Sequence, residues 1–381
     1  MERPNKKPLV SMMVIAVIVA LGLCEIALRC FVPTTKALLG QLSYETLEGE
    51  KVVTPAEAVA KGFIVEVEQK KRPRFRTMFA PGKSFYLRYT DNEKLHRNWF
   101  DEQGRVLVRI NQHGVREREE IGPAKPPGQK RIVCIGDSFT FGWGIPEEQC
   151  WVRLLESQMR ESGKDIRTVN CGAAGANCID EYWWGLRNRF HAFQPDAVIV
   201  TICLNDLIPS SGLFVQGPSS NTGFRIVDLA LSAFARSPMD LDPALDWVGM
   251  LKGMTEQQAK EAGMCGVDAP FDDMWATGKP QHSMGAMTAW CEGRKIPLMI
   301  VLWPFLQGLG KDRFYPFTSL HKEVEAECKK QGIPFLDLLP ALRGTAAEDL
   351  WVTPADMHAN PKAQQMVMND LLAFVRANCG L

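Results

Sequence analysis

From residue 131 onward the chain alternates short, almost wholly apolar runs with segments of mixed polarity, the rhythm of strand and helix in turn. Arg131–Ile135, Thr168–Cys171 and Ala197–Leu204 predict three strands, the last almost continuously apolar. The rhythm resumes with strands at Ile296–Trp303 and Pro334–Leu338. Helices are expected near Glu147–Ser162, over Ile179–Phe193 and Thr318–Gln331, and from about Pro361 to Ala377. Asn360 is placed to cap that last helix, with Pro361 at its first position. Such alternation predicts an α/β fold, a parallel sheet with helices on both faces forming three layers.

The remainder breaks this rhythm. Leu9–Cys24 is uncharged and apolar, follows Arg3, Lys6 and Lys7, and continues apolar to Val32 except for Glu25 and Arg29. No small-x-small cleavage site follows, so residues 1–33 are expected to be an uncleaved signal anchor, a single transmembrane helix. Basic residues ahead of it predict a cytoplasmic N-terminus and an extracytoplasmic remainder, in a bacterial periplasm or envelope. Residues 34–130 form an extension. Its first part, to about 70, reads as a loosely packed helical stalk, and Ser84–Tyr89 and Arg105–Ile110 read as strands, with a turn at Asp101–Gly104. The main domain is expected over 131–381. Within it about 207–294, rich in Met, Ala, Pro and Gly, is too long for an ordinary connection and reads as a cap-like insertion.

Composition narrows the partners. Lys+Arg and Asp+Glu both number 44, and no basic tract is present to follow a phosphate backbone, so nucleic acid is not expected. The 11 cysteines contain no CxxC pair, which removes zinc ribbons and thioredoxin-like sites. Disulfides among Cys150, Cys178, Cys265, Cys291, Cys328 and Cys379 are compatible with an extracytoplasmic domain, with no readable pairing.

Four segments carry candidate chemistry. Gly136-Asp137-Ser138 follows the first strand and precedes a helix, where a serine hydroxyl is exposed at the sheet edge and backbone N–H groups are free for an oxyanion. Thr140 stands where a Gly-x-Ser-x-Gly elbow would have its second glycine, and no phosphate-loop lysine follows. Asn170–Asn177 puts glycines after the second strand, and Leu204-Asn205-Asp206 ends the third. Asp356-Met357-His358 lies just before the last helix, and residues two apart in an extended strand point to one side, so Asp356 can orient the His358 ring. Each segment alone fits an ordinary turn, cap or solvated loop.

In this order the four segments resemble the GDSL/SGNH hydrolases, membrane-anchored bacterial members included, over about 131–206 and 296–377. Asn111–Arg116 also looks like a segment that precedes the catalytic block in anchored members. The resemblance implies a flavodoxin-like SGNH fold and a Ser-His-Asp triad: Ser138 as nucleophile, His358 as base and Asp356 as its orienting acid. It also implies an oxyanion hole from the Ser138 N–H, the Gly175 N–H and the Asn205 side chain. No cofactor or metal is implied. Two departures stand out: Cys203 replaces the usual glycine two places before Asn205, and the Asp–His spacing is one residue shorter than the commonest form. The expected activity is hydrolysis of an acyl or acetyl ester, of a small molecule or a carbohydrate. An O-acyltransferase or deacetylase acting on envelope polysaccharide would use the same residues, and a non-catalytic envelope binding protein could keep the same fold.

Overall fold

The computed structural model describes residues 7–31, 43–52, 58, 60–67, 76–89, 97–173, 178–207, 275, 278–310, 315, 317–353 and 356–381. Leu42–Val215 and Pro243–Leu381 make one compact unit, and the N-terminal helix α1 (Lys7–Phe31) belongs to another. The uncharged run Leu9–Cys24 covers about 24 Å of helix at 1.5 Å per residue, short of a hydrocarbon core of about 30 Å. A Glu25–Arg29 ion pair at 2.8 Å then follows in the same helix. Among the described residues no helix is long and apolar enough to cross a membrane. The structure therefore carries the expected helix without showing a membrane span.

In its described part the expected helical stalk holds short strands, with helical residues at Ala58 and Ala60. β1 (Ser43–Glu45) pairs with β2 (Lys51–Val52), and β3 (Ile64–Val67) with β4 (Arg76–Phe79). β1 also pairs with β5 (Ser84–Arg88), which pairs with β6 (Arg105–Arg109), giving an antiparallel sheet in the order β2-β1-β5-β6. Distant partners decide this. The Tyr44 ring packs 5.6 Å from that of Phe85, and Glu45 is buried against Arg88 at 2.9 Å and Arg105 at 2.6 Å. No local pattern within residues 33–70 contains those contacts.

The main sheet holds five parallel strands: β7 (Lys130–Gly136), β8 (Ile166–Gly172), β9 (Ala197–Cys203), β10 (Leu298–Trp303) and β11 (Phe335–Asp337). Their spatial order is β11-β10-β9-β7-β8. The chain starts in the middle, goes one way to β8 and returns past β7 to β9, so a switch point falls between β7 and β9, where such sheets hold ligands at the carboxyl ends. All seven residues of β9 and all six of β10 are buried, which requires cover on both faces. Right-handed crossovers supply it by placing α3 (Trp151–Arg160) and α4 (Ile179–Asn188) on opposite sides, because the chain reverses direction between them. A four-residue helix, α2 (Ser138–Phe141), precedes them. α5 (Lys279–Glu292) packs on α4 and against β10. It is thus the crossover helix that two parallel strands need, within the stretch where a cap-like insertion is expected to run to 294. Residues 208–274, the rest of that insertion, lie outside the described residues.

The C-terminal part continues through α6 (Thr318–Lys330), α7 (Leu339–Leu342), and the hairpin of β12 (Trp351–Thr353) and β13 (Asp356–Ala359). The expected last helix is two, α8 (Pro361–Met366) and α9 (Met368–Asn378), the latter packed on α3. Asn360 caps α8, its side chain accepting from Ala363 N at 3.0 Å.

β8 is an edge strand, and its outward N–H groups are not left open. Glu156 accepts from Thr168 N at 2.8 Å and Glu117 from Asn170 N at 2.8 Å. Arg153 ties the two carboxylates together, at 2.9 Å to Glu117 and 3.1 Å to Glu156, and Arg167 reaches Glu156 at 2.9 Å.

Candidate active site

β7 runs apolar into Gly136, and the chain must then turn sharply onto α2. Space enforces glycine here: a Cβ on Gly136 would stand 2.1 Å from Thr201 Oγ1 and 2.2 Å from Thr140 Oγ1. Asp137 caps α2, its side chain accepting from Phe139 N at 2.9 Å, so Ser138 is the first helical residue. At that position the Ser138 N–H has no intrahelical acceptor. The far end of α2 is held by Arg116, which is buried and donates to the carbonyls of Phe141 (2.7 Å), Gly142 and Ile145 (2.7 Å).

Ser138 and His358, 220 positions apart, meet at the carboxyl edge of the sheet: Ser138 Oγ lies 2.8 Å from His358 Nε2. His358 Nδ1 lies 2.5 Å from Asp356 Oδ1, which also accepts from the His358 N–H at 3.2 Å. β13 is extended between them, which turns both side chains to one side. The imidazole packs near the rings of Phe139 (5.8 Å) and Trp143 (6.0 Å), so apolar walls surround the serine–histidine contact. Asn360 steadies this strand from behind, donating to the carbonyls of Asp349 at 2.8 Å and Trp351 at 3.0 Å.

Burial alone would raise the Asp356 pKa. The charge of His358 and hydrogen bonds from His358 and Tyr89 outweigh it, and the carboxyl is held below its ordinary value. Asp356 is thus the anion a neighbouring imidazolium needs. The Tyr89 hydroxyl donates to its other oxygen, Oδ2, at 2.7 Å. Sequence reasoning passed over Tyr89. The only signal was its place in line with Phe85 and Leu87 on the buried face of β5, where a tyrosine hydroxyl needs a partner.

Of the three expected oxyanion donors, the Ser138 N–H is placed as described. Gly175 lies outside the described residues. Asn205 sits in the turn Leu204–Leu207 directly after β9, with its side chain outside the description. The adjacent Asp206 is buried and accepts from Cys203 N at 2.7 Å, which pins the strand end where Cys203 replaces glycine. Cys171 and Cys203 are buried within β8 and β9, and Cys150, Cys291, Cys328 and Cys379 are free thiols. Among the described residues no cluster of His, Cys, Asp and Glu could hold a metal ion.

Asp137 titrates unusually. Burial raises its pKa from 3.8 to about 6, against the opposing pull of the Phe139 N–H and His358. Between those two pH values the folded chain keeps a proton that the unfolded chain has lost, so stability falls as pH rises through this window and stays reduced above it. Asp137→Asn removes the titration and still caps a helix well. It is therefore expected to be more stable than wild type at neutral pH by about 1–3 kcal/mol, with the advantage shrinking toward pH 3.8. Urea midpoints measured across that range test this, and wild-type and variant midpoints that run parallel would refute it.

A separate cavity lies at the opposite, amino ends of the strands, lined by Lys125, Gln194, Pro195 and Ile296 with Arg187 and Arg294. It contains none of the residues above. Its Lys125 is paired to Asp196 at 2.6 Å and its Arg294 covers the Trp290 ring at 4.1 Å.

Comparison with known proteins adds the family. The model of the GDSL-like lipase/acylhydrolase family matches residues 134–366, more than half of the chain. An arylesterase of Vibrio mimicus is 25% identical over 83 residues, which are 22% of this chain and 41% of that protein, so the match spans about two fifths of that relative's length. Among solved structures, a G-D-S-L family lipolytic protein of Desulfitobacterium hafniense aligns at 16% identity and a TM-score of 0.37, over 64% of this chain and 99% of that one. The acetylxylan esterase Axe2 of Geobacillus stearothermophilus aligns at 12% identity and 0.38, over 68% and 96%. At such scores the structural likenesses bear no weight for substrate.

Proposed function

Because this chain belongs to the GDSL-like lipase/acylhydrolase family, we propose that it is a serine esterase that cleaves an acyl or acetyl ester through an acyl-enzyme on Ser138. The observation that carries this reading is the 2.8 Å contact of Ser138 Oγ with His358 Nε2, backed by Asp356 on the other ring nitrogen. His358 Nε2 takes the hydroxyl proton as Oγ attacks the ester carbonyl carbon. The carbonyl oxygen becomes an oxyanion facing the Ser138 N–H, with Gly175 N–H and the Asn205 amide as its further donors in this proposal. Collapse breaks the bond to the alcohol oxygen, which leaves with the proton from His358. Water then attacks the acyl-enzyme, again giving its proton to His358, and the carboxylic acid departs as Ser138 regains its hydrogen. Asp356 stabilises the imidazolium in both halves.

The test uses the purified chain, a fluorophosphonate probe and p-nitrophenyl acetate. Stoichiometric labelling with matching loss of hydrolysis is the expected result. A protein that neither takes the probe nor turns over any member of a short-to-long aryl ester panel would instead be a binding protein on this fold.

The proposal extends to location: α1 holds the chain to a membrane, N-terminus on the cytoplasmic side. Its support is the exposure on one helix of Met13, Val17, Val19, Leu21, Leu23 and Ile26, each more than half exposed, after the basic residues Arg3, Lys6 and Lys7. The full chain is expected to resist extraction by alkaline carbonate and to be released by detergent. A chain lacking residues 1–33 should be soluble without detergent. Full-length chain that washes off in carbonate would refute the anchor.

A further inference from the structure

Resting on the esterase reading, we propose that Tyr89 is a positioning residue of the reaction: a donor from the N-terminal extension that sets the aim and the charge of Asp356. The carboxylate is divided between two partners. Oδ1 faces His358, at 2.5 Å from Nδ1, while Oδ2 accepts the Tyr89 hydroxyl at 2.7 Å. Tyr89 directly follows β5, 267 positions earlier, in a part of the chain that the family match does not reach.

The phenol is itself held in place. Tyr89 is 2% exposed, stacks on Phe100 at 4.8 Å with an interplanar angle of 9°, and donates its backbone N–H to Gly104 O at 3.1 Å. The chain after α2 passes so close that a Cβ on Gly144 would stand 2.3 Å from the Tyr89 hydroxyl, and Gly144, with φ of +73°, is already in the left-handed region. The same extension grips both halves of the site. Trp99 Nε1 donates to Gly144 O at 3.2 Å, beyond the serine, and Arg97 Nε donates to Val352 O at 3.1 Å, in the strand paired with the histidine strand.

This geometry has two consequences. A carboxylate bonded on both oxygens is fixed in direction; without Tyr89, Oδ2 is released to swing about the contacts of Oδ1 with the His358 ring and backbone N–H, which persist. A donor on Oδ2 also withdraws negative charge from Oδ1, so Asp356 pulls less hard on the Nδ1 proton and stabilises the imidazolium less. Among the described residues, Asp137 acts on His358 beside Asp356, and Arg116 and Tyr44 act on Tyr89. Burial first, and Asp356 second, raise the Tyr89 pKa well above its ordinary value, so the phenol remains a donor wherever a histidine titrates.

The test is Tyr89→Phe in the full chain, which keeps the ring stack and deletes one hydroxyl. With p-nitrophenyl acetate, kcat is expected to fall about ten- to a hundredfold, the effect of losing one hydrogen bond to a charged group, with KM within about twofold. The acid limb of the kcat/KM profile should move up by roughly half a pH unit, because the unshared carboxylate holds the imidazolium more tightly. A merely structural role would lower activity or the thermal midpoint without moving that limb. An unmoved limb overturns the proposal, whether or not kcat falls. The two readings fail differently. If wild type takes no fluorophosphonate at Ser138, the esterase reading fails and this proposal with it. If wild type is labelled and active while Tyr89→Phe matches it in rate and pH profile, only the role of Tyr89 fails.

Discussion

Ser138→Ala is expected to lower kcat for p-nitrophenyl acetate by on the order of 10⁵-fold and to abolish fluorophosphonate labelling, while the fold persists. Nucleophile and base act as one unit, and in a comparable serine hydrolase the loss of either costs about as much as the loss of all three members. His358→Ala should therefore fall to a similar level, and the double variant little further. The substitution removes one oxygen whose partner is His358 Nε2 at 2.8 Å, leaves the Asp137 cap on Phe139 N intact, and puts a good helix former at the start of α2. The thermal midpoint should change by no more than a few degrees. Residual hydrolysis is what an intact oxyanion hole would supply. Activity within tenfold of wild type, in protein shown free of contaminating esterase, would remove Ser138 from the reaction.

The second large effect is on stability. Arg153→Met is expected to cost about 3–5 kcal/mol, because it strips Glu117 and Glu156 of the buried cation that joins them and leaves Arg167 as their remaining close partner. Arg153 is 7% exposed and meets Glu117 at 2.9 Å, Glu156 at 3.1 Å and the Thr168 carbonyl at 2.6 Å. Glu117 carries the heaviest burden: burial pushes its pKa to about 7 even with Arg153 and Arg167 beside it. Those carboxylates also receive the outward N–H groups of β8, so the loss should loosen the edge strand first. Urea unfolding followed by tryptophan fluorescence measures the cost, and hydrogen exchange at Thr168 and Asn170 locates it. Exchange there should quicken before the rest of the sheet. A cost below about 1 kcal/mol, the usual value of a surface pair, would mean that water reaches this cluster and the argument from burial is wrong.

Much of the main sheet was legible because its signal is local. A strand buried on both faces must be apolar nearly throughout, and β9 and β10 lie within one or two residues of the runs that announce them. The junction at Asn360 and Pro361 was equally readable, since a cap and a first-turn proline act within a few positions. The strands of residues 43–52 were not. Their short segments carry no pattern of their own, and they exist because Tyr44 and Glu45 find Phe85, Arg88 and Arg105 far along the chain. The missed crossover helix has a related cause. Lys279–Glu292 holds Met, Ala, Pro and Gly like the sequence before it, and its role is set by the need to join β9 to β10.

The candidate site divides along the same line. The chain alone determined which residues have the right chemistry and stand at strand ends: Ser138 after β7, Asn205 after β9, and Asp356 two positions before His358 on one side of an extended segment. Only tertiary structure decided which groups surround them. The Tyr89 hydroxyl on Asp356 and the Arg116 guanidinium on the carbonyls at the end of α2 come from an extension with a sheet of its own. The reason is physical: backbone geometry and hydrophobic period act over a few residues, whereas a buried hydroxyl or guanidinium takes whatever partner the packed chain brings within 3 Å of it.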